Sequence, residues 1–137
     1  AKYNKPVVVH SRDAIKDTYD ILKEELKGNK CILHCYSSSL EMAKEFQKLG
    51  IKFGIGGVIT FKNNKVLREV VEGLTLDNFI LETDSPYLTP EPYRGHKNEP
   101  YNVNYVAKKI AELKNISIEE VISITTKTAI SQFDLPI

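Results

Sequence analysis

The chain has 137 residues, of which 42% are hydrophobic and 27% are charged, and its formal net charge is +1. These values are typical of one globular domain with a substantial core. They exclude the overall basic field that many nucleic-acid-binding domains use. No apolar run approaches the roughly 20 residues of a membrane helix, and the chain does not open with a signal-peptide pattern. We interpret the two cysteines as reduced thiols. We therefore expect a cytoplasmic protein with no membrane partner.

The hydrophobic pattern alternates between short apolar runs and stretches of helical period. Ser38 with Glu41 and Ser117 with Glu120 predict capping boxes at the starts of two helices. A proline-rich loop follows the last strand over residues 85–100. The predicted strands are residues 6–10, 30–36, 51–59 and 79–84, and the predicted helices are residues 14–26, 40–49, 66–74, 103–113 and 117–133.

Alternating strands and helices predict an α/β fold with a parallel sheet and right-handed crossovers. Four strand–helix units are half of an eight-unit TIM barrel, which usually has about 250 residues. The pattern alone leaves open, and slightly favours, an open doubly wound sheet. Neither a GxGxxG nor a Walker A motif is present in the sequence to support a nucleotide site in such a sheet.

Three of the predicted strands end in side chains that can bind a metal, namely His10, His34 and Asp84. In parallel α/β folds the carboxyl ends of the strands face the active site, so these side chains are expected near one another. Two imidazoles and one carboxylate suit zinc, manganese, nickel or a similar divalent ion. The alternative is a hydrogen-bonded polar residue at each strand end, which is the commoner role of a lone histidine.

Four sequence blocks resemble segments of the TatD family of metal-dependent hydrolases, in that family's order and spacing. KPVVVHSRDA is similar to the segment around a metal-binding histidine, ILHCYSSS to the HCFSG segment, and GIGGVITFKN to the GxxTFKN segment. The most specific block is LETDSPYLTPEPYRGHKNEP, which resembles the family's LETDSPYL signature with its following RGK motif. The resemblance implies the C-terminal half of a (β/α)8 TIM barrel of amidohydrolase type. Residues 1–137 would then form a single partial-barrel domain that supplies strands five to eight.

The resemblance also implies hydrolysis of DNA phosphodiester bonds by a water that one or two divalent metal ions (Mg, Mn, Zn or Ni) activate. The metal ligands implied at matching positions are His10, His34 and Asp84, and Asp84 is also the implied catalytic base. Substrate-binding residues that hold phosphate oxygens are implied at Arg12, Arg94, Lys97 and Asn98.

The family's opening His-x-His pair and its GEIGLDY-type block, which supplies a bridging glutamate, are absent from this sequence. We therefore expect an incomplete metal site and a chain that is inactive without the missing N-terminal half-barrel. Four barrel strands also leave two unpaired edges, so we expect self-association or pairing with that missing half. Two other functions stay open. One is an amidohydrolase-type hydrolase of amides or lactones, and the other is a non-catalytic half-barrel that acts as an assembly partner.

Other residues in these blocks have roles that the sequence alone leaves open. Cys31 and Cys35 form a C-x3-C pair on one predicted strand face, where two buried apolar side chains are more common than a zinc pair. Glu82 shares the predicted face of Asp84, and it either tunes the site or forms a salt bridge. The glycines at 54, 56 and 57 favour close packing at a barrel strand over a phosphate site, because no helix is predicted directly after them.

Overall fold

A computed structural model describes residues 2–137 and shows a four-stranded parallel sheet flanked by five α-helices. The strands are β1 (Val7–His10), β2 (Cys31–His34), β3 (Lys52–Ile55) and β4 (Phe79–Leu81), and they lie side by side in chain order. The helices are α1 (Ile15–Glu25), α2 (Leu40–Lys48), α3 (Lys65–Gly73), α4 (Val103–Lys114) and α5 (Ile118–Phe133). The predicted α/β fold, with four parallel strands and flanking helices, is confirmed.

The parallel register aligns the carboxyl ends of the strands. His10 at the end of β1 is the register partner of His34 at the end of β2. At the other side of the sheet, Ile55 at the end of β3 is the partner of Leu81 at the end of β4. Because all four strands run in one direction, the segments that follow them emerge along one edge of the sheet.

The core is built by residues of β2, β3, β4 and of the helices α2, α3, α4 and α5. Phe46 and Phe53 are fully shielded from solvent. Tyr36 packs edge-on against both, with ring centroids 6.4 Å from Phe46 and 4.8 Å from Phe53. Such edge-to-face pairs contribute about 0.5–1.5 kcal/mol each beyond the burial of their surface. Since Tyr36 comes shortly after His34 in the chain, this packing also fixes the end of β2.

All four predicted strands are longer than the strands in the structure, and the second ends at His34 and not at the predicted residue 36. The third ends at Ile55, since a 3-10 turn over Gly57–Thr60 replaces its predicted last residues. Ile59 in this turn is fully buried, so its hydrophobicity resembled that of a strand residue. The fourth strand ends at Leu81, although the Glu82 N–H still donates to the Ile55 carbonyl at 3.0 Å. The predicted ends at residues 59 and 84 are therefore wrong.

Helix starts follow local capping rules, with one correction. The N-cap of α2 is Ser39 and not the predicted Ser38, because the Ser39 hydroxyl accepts from the Met42 N–H at 3.2 Å. The predicted cap of α5 is confirmed, since the Ser117 hydroxyl accepts from the Glu120 N–H at 3.2 Å. Within residues 2–137, no helix combines the length and the apolar character needed to cross a membrane.

Each outer strand of the sheet has one edge without a neighbouring strand in the described part of the chain. On β1, Val7 and Val8 expose 39% and 53% of their surface. Beside β4, an apolar groove of about 450 Å³ lies between Ile80, Leu81 and the helices α4 and α5. Proteins usually cover unpaired edges and apolar grooves of this kind. The sheet is therefore open at the two places where a closed barrel would continue.

We predict that Ser39→Ala lowers the free energy of unfolding by about 1 kcal/mol, because the first turn of α2 loses its capping acceptor. Urea denaturation followed by circular dichroism measures this loss. Ser38→Ala is the matched control and should lower stability by less, since Ser38 lies outside the cap. An equal or larger loss in Ser38→Ala would contradict the position of the cap.

Candidate metal centre

His10 and His34 lie next to each other at the tips of β1 and β2. Their ring centroids are 5.9 Å apart, and the ring planes are inclined by 40°. The parallel register brings about this arrangement, because side chains at paired positions of neighbouring strands point to the same face of the sheet. The prediction that both histidines end strands is confirmed.

Asp84 lies beside His34, although β4 already ends at Leu81. Its Oδ1 is 3.4 Å from Nε2 of His34. The Tyr87 N–H donates to the Asp84 carbonyl at 2.8 Å, and this tight turn holds the backbone as the chain leaves the sheet. The side chain of Asp84 is 44% exposed, so its carboxylate faces both His34 and solvent.

Glu82 contacts the other ring nitrogen of His34. Its Oε2 lies 2.9 Å from Nδ1 of His34, and its Oε1 accepts from the Cys35 N–H at 2.5 Å. Only 17% of the Glu82 side chain is exposed, and hydrogen bonds in such low-dielectric surroundings are stronger than in water. His34 is therefore held between a carboxylate that is mostly shielded from solvent and one that is about half exposed.

Cys35 ends β2 in a left-handed backbone conformation. Its φ is +49°, which costs a non-glycine residue on the order of 1–3 kcal/mol unless the surroundings enforce it. Its N–H donates to Glu82 in this conformation. Because the chain turns away here, Cys35 does not continue the strand face of buried Cys31, and both cysteines are free thiols. Burial raises the pKa of Cys31 to about 11, and burial with the nearby carboxylates raises that of Cys35 to about 11.

The charges around His34 favour its protonated form. Burial alone lowers the pKa of His34, but the carboxylates of Glu82 and Asp84 outweigh burial and raise it above its ordinary value. Burial, together with the charge of Asp84, raises the pKa of Glu82 above its ordinary value, although His34 and the Cys35 N–H lower it. The two carboxylates favour any cation at the ring nitrogens, and a metal ion at Nε2 would have to displace the proton.

The donors fit one part of a divalent metal site. Two donors of one tetrahedral ion, each roughly 2.0–2.2 Å from it, lie about 3.3 Å apart. Nε2 of His34 and Oδ1 of Asp84 are 3.4 Å apart. A carboxylate on the opposite ring nitrogen, as Glu82 provides, is the usual companion of a metal-binding histidine. Within residues 2–137, however, no group of three His, Cys, Asp or Glu side chains is gathered closely enough to hold an ion. The site of this chain therefore needs further ligands to be complete.

The predicted phosphate contacts differ in how firmly they are held. Arg12 and Lys97 are exposed side chains. Arg94 is exposed too, but its guanidinium carbon lies 3.7 Å from the ring centroid of Phe61. The side chains of Arg94 and Phe61 line a cavity of about 400 Å³ together with His96 and residues 86–89. Arg94 is therefore a cation with a defined place within the loop that follows Asp84.

Asn98 is a brace inside the loop. It is only 2% exposed, and its Nδ2 donates to the Tyr87 carbonyl at 2.8 Å. Its Oδ1 accepts from the Glu99 N–H at 2.9 Å and from Asn102 Nδ2 at 3.0 Å. With both ends of its amide engaged, Asn98 has a structural role in place of the expected phosphate contact.

A second cavity, of about 510 Å³, lies beyond the tips of β1 and β2. Its lining includes Ser11, Ser37, Asp13 and Asp17. Lys16 also lines it, but its ammonium is paired with Asp20 at 2.7 Å. Acidic walls repel a phosphate group, so a phosphate fits better beside Arg94 than here.

Comparison with known proteins identifies the family. The family model described as "TatD related DNase" matches residues 1–134. The chain belongs to the TatD family. A relative named "Uncharacterized metal-dependent hydrolase YabD", from Bacillus subtilis, is 47% identical over 127 residues, which are 92% of this chain and 50% of YabD. A similarly named Escherichia coli K12 protein, YcfH, is 44% identical over 125 residues, which are 90% of this chain and 47% of YcfH.

Solved structures agree with this TatD assignment. The crystal structure of YjjV, a TatD homologue from Escherichia coli K12, matches with a TM-score of 0.90 at 30% identity and covers 98% of this chain and 52% of YjjV. A TatD-family hydrolase from Entamoeba histolytica has a TM-score of 0.87 at 21% identity, which supports the fold alone. The chain spans about half the length of the relatives it matches.

Glu82 is the residue of this TatD site whose role sequence reasoning left undecided. Strand alternation correctly suggested that Glu82 and Asp84 belong together, and both contact His34. Alternation could not name His34 as the shared partner, because β2 lies two strands away from β4 in the sheet.

We predict that the metal-free chain loses stability as the pH rises through the pKa of His34. Folding raises this pKa, so the stabilisation is complete below the unfolded value of about 6.5 and is lost as the pH passes the folded value. Urea denaturation in EDTA, between about pH 5.5 and 9, should show a falling free energy of unfolding. His34→Asn should remove most of this decline. An identical pH dependence in that variant would assign the decline to another group.

Proposed function

We propose that this chain supplies part of the active site of a metal-dependent hydrolase that cleaves DNA phosphodiester bonds. The observation that carries the proposal is the pairing of His34 Nε2 with Asp84 Oδ1 at 3.4 Å, with the ring of His10 next to His34 at the carboxyl edge of the sheet. The names of the relatives support metal-dependent hydrolysis, and the description of the matching family model supports DNA as the substrate.

In this proposal Nε2 of His34 and Asp84 hold a divalent ion, which is magnesium, manganese, zinc or nickel, and His10 becomes a third ligand when the ligands from outside this chain complete the site. Such an ion, when bound, polarises the phosphoryl group and makes water acidic near neutral pH. Asp84 takes the proton of the attacking water as the catalytic base, a role that its partly exposed carboxylate supports. Glu82 keeps the ring of His34 in place through Nδ1.

The phosphate side of the proposed site lies beside the loop that follows Asp84. Arg94, supported by Phe61, offers a planar pair of donors to phosphate oxygens. Arg12 and Lys97 add mobile positive charge to the local attraction. The attraction for phosphate in this proposal comes from these few side chains, because the net charge of the whole chain is only +1.

We further propose that the chain is the C-terminal half of a TatD-type barrel and provides strands five to eight. The open edge at Val7 and Val8 and the apolar groove beside β4 are the surfaces that the other half would cover. The coverage of about half of each relative supports this arrangement. The remaining metal ligands, a His-x-His pair and a glutamate, would then come from the N-terminal half.

The same open edges support a second candidate, in which the chain is a non-catalytic half-barrel that pairs with itself or with another half. An amidohydrolase-type hydrolase of amides or lactones would use nearly the same ligands, so it is separated from a nuclease by substrate and not by the site. Activity and size in solution together distinguish these functions.

We predict that the chain alone does not cleave a fluorescent DNA oligonucleotide in Mn²⁺ or Mg²⁺. Addition of the N-terminal half of YabD should produce cleavage, because it supplies the remaining ligands and covers the open edges. EDTA and His34→Ala should each abolish that cleavage.

Cleavage by the chain alone would contradict the need for a second half. Hydrolysis of amide or lactone substrates without DNA cleavage would contradict the nuclease. A stable dimer that stays inactive after addition of the other half would favour the assembly partner.

A further inference from the structure

The carboxylate of Glu82 occupies a small space between three backbone segments. It lies against His34 and Cys35 at the end of β2, and directly over Gly54 in the neighbouring strand β3. We propose that Glu82, in the space left by Gly54, is a positioning residue that fixes His34 with Nδ1 as a donor and Nε2 directed toward Asp84. This inference deepens the proposed metal-dependent hydrolysis, and its consequence for metal binding rests on that proposed function.

Both oxygens of Glu82 are engaged, so the carboxylate cannot rotate freely. Oε2 lies 2.9 Å from Nδ1 of His34, and Oε1 accepts from the Cys35 N–H at 2.5 Å. An ionised carboxylate has no proton to donate, so the ring nitrogen that faces it must carry the proton. The neutral ring then has its lone pair on Nε2, which is the nitrogen that faces Asp84.

Gly54 explains how a carboxylate fits into the sheet at this point. A Cβ on Gly54 would overlap Oε2 of Glu82 and would lie 2.5 Å from its Cδ. The atoms in its way form the far end of a flexible side chain, so an alanine here would displace the carboxylate and leave the strand in place. The backbone of Gly54 does not itself require glycine, since its φ lies outside the left-handed region.

Gly56 provides a matched contrast in the same segment. A Cβ on Gly56 would meet only Glu82 atoms at ordinary distances, 3.6 Å from the carbonyl oxygen and 3.8 Å from Cγ. Its φ of −114° suits alanine. Gly54→Ala and Gly56→Ala therefore differ chiefly in whether they displace the carboxylate.

A fixed ring orientation matters for the proposed ion. Loss of the outer partner of a metal-binding histidine typically weakens metal binding 10- to 100-fold. In the absence of Glu82, the ring of His34 would be free to carry its proton on Nε2 and to donate it to Asp84. That arrangement would block both proposed ligands at once.

The first test reads the tautomer of His34 in the metal-free chain, with two-bond ¹H–¹⁵N correlation spectra of histidine-labelled protein. The spectra are recorded at the alkaline end of a pH series, where the ring resonances no longer change with pH and the ring is neutral. We expect the Nδ1–H tautomer in the wild type and in Gly56→Ala. We expect a shift toward Nε2–H in Gly54→Ala and in Glu82→Gln, whose single amide oxygen cannot serve both donors.

A wild type that carries the proton on Nε2 would overturn the proposal, as would a Gly54→Ala variant with the wild-type tautomer. Circular dichroism melting checks that each variant folds. If Glu82→Gln fails to fold, the comparison of Gly54→Ala with Gly56→Ala still decides.

The second test measures Zn²⁺ binding by calorimetry. We expect Gly54→Ala and Glu82→Gln to bind about 10- to 100-fold more weakly than the wild type, and Gly56→Ala to match the wild type. Equal zinc affinities in the wild type and the three variants would contradict an effect of Glu82 on metal binding by His34. If the wild type bound no zinc but kept the Nδ1–H tautomer, the metal site would fail while the positioning of His34 stood.

Discussion

Parallel pairing of four strands is the constraint on which the rest of this structure depends. It aligns His10 with His34 across β1 and β2 through the register of the strands. It also places β3 between β2 and β4, so a side chain that reaches from β4 to His34 must pass over β3. Glu82 makes that passage over Gly54, and the hydrogen bonds to His34 and Cys35 hold it there. The contact between Glu82 and His34 therefore depends on the space above Gly54 in the sheet.

The electrostatic character of the site follows from this placement. Burial penalises a charge on His34 and on Glu82; the carboxylates outweigh this penalty at His34, whereas His34 only reduces it at Glu82. Asp84 lies outside this pair in more exposed surroundings. The result is a mostly shielded carboxylate that contacts the ring and a partly exposed carboxylate that is accessible to a cation or a substrate. The two acids differ in environment although a single residue separates them in sequence.

Sequence reasoning recovered those features that depend on order along the chain. The alternation of strands and helices gave the parallel sheet, and the first apolar run gave the tip at His10, while the second run was predicted two residues beyond His34. It failed where the answer depends on contacts across the fold. The run that ends at Ile59 is as apolar as a strand, but it is a buried 3-10 turn.

Asn98 shows the same limit in a functional block. Its polar side chain in a family motif suggested phosphate, whereas its partners Tyr87, Glu99 and Asn102 show a loop brace. Ser38 and Ser39 are equally good caps by composition, and only the backbone path selects Ser39. The partner of Glu82 likewise required the order of strands, which no local pattern contains.

The contact between Arg94 and Phe61 has a thermodynamic consequence for recognition. An arginine on a flexible surface loses rotamer freedom when it grips an anion, at a cost of about 0.5–1.5 kcal/mol for each immobilised side chain. Arg94 already rests on an aromatic face, so part of that ordering precedes any encounter. Lys97, exposed and without such a support, would meet the whole entropic cost during binding. Arg94 therefore loses less side-chain entropy than Lys97 when it binds an anion, and it contributes more to the affinity.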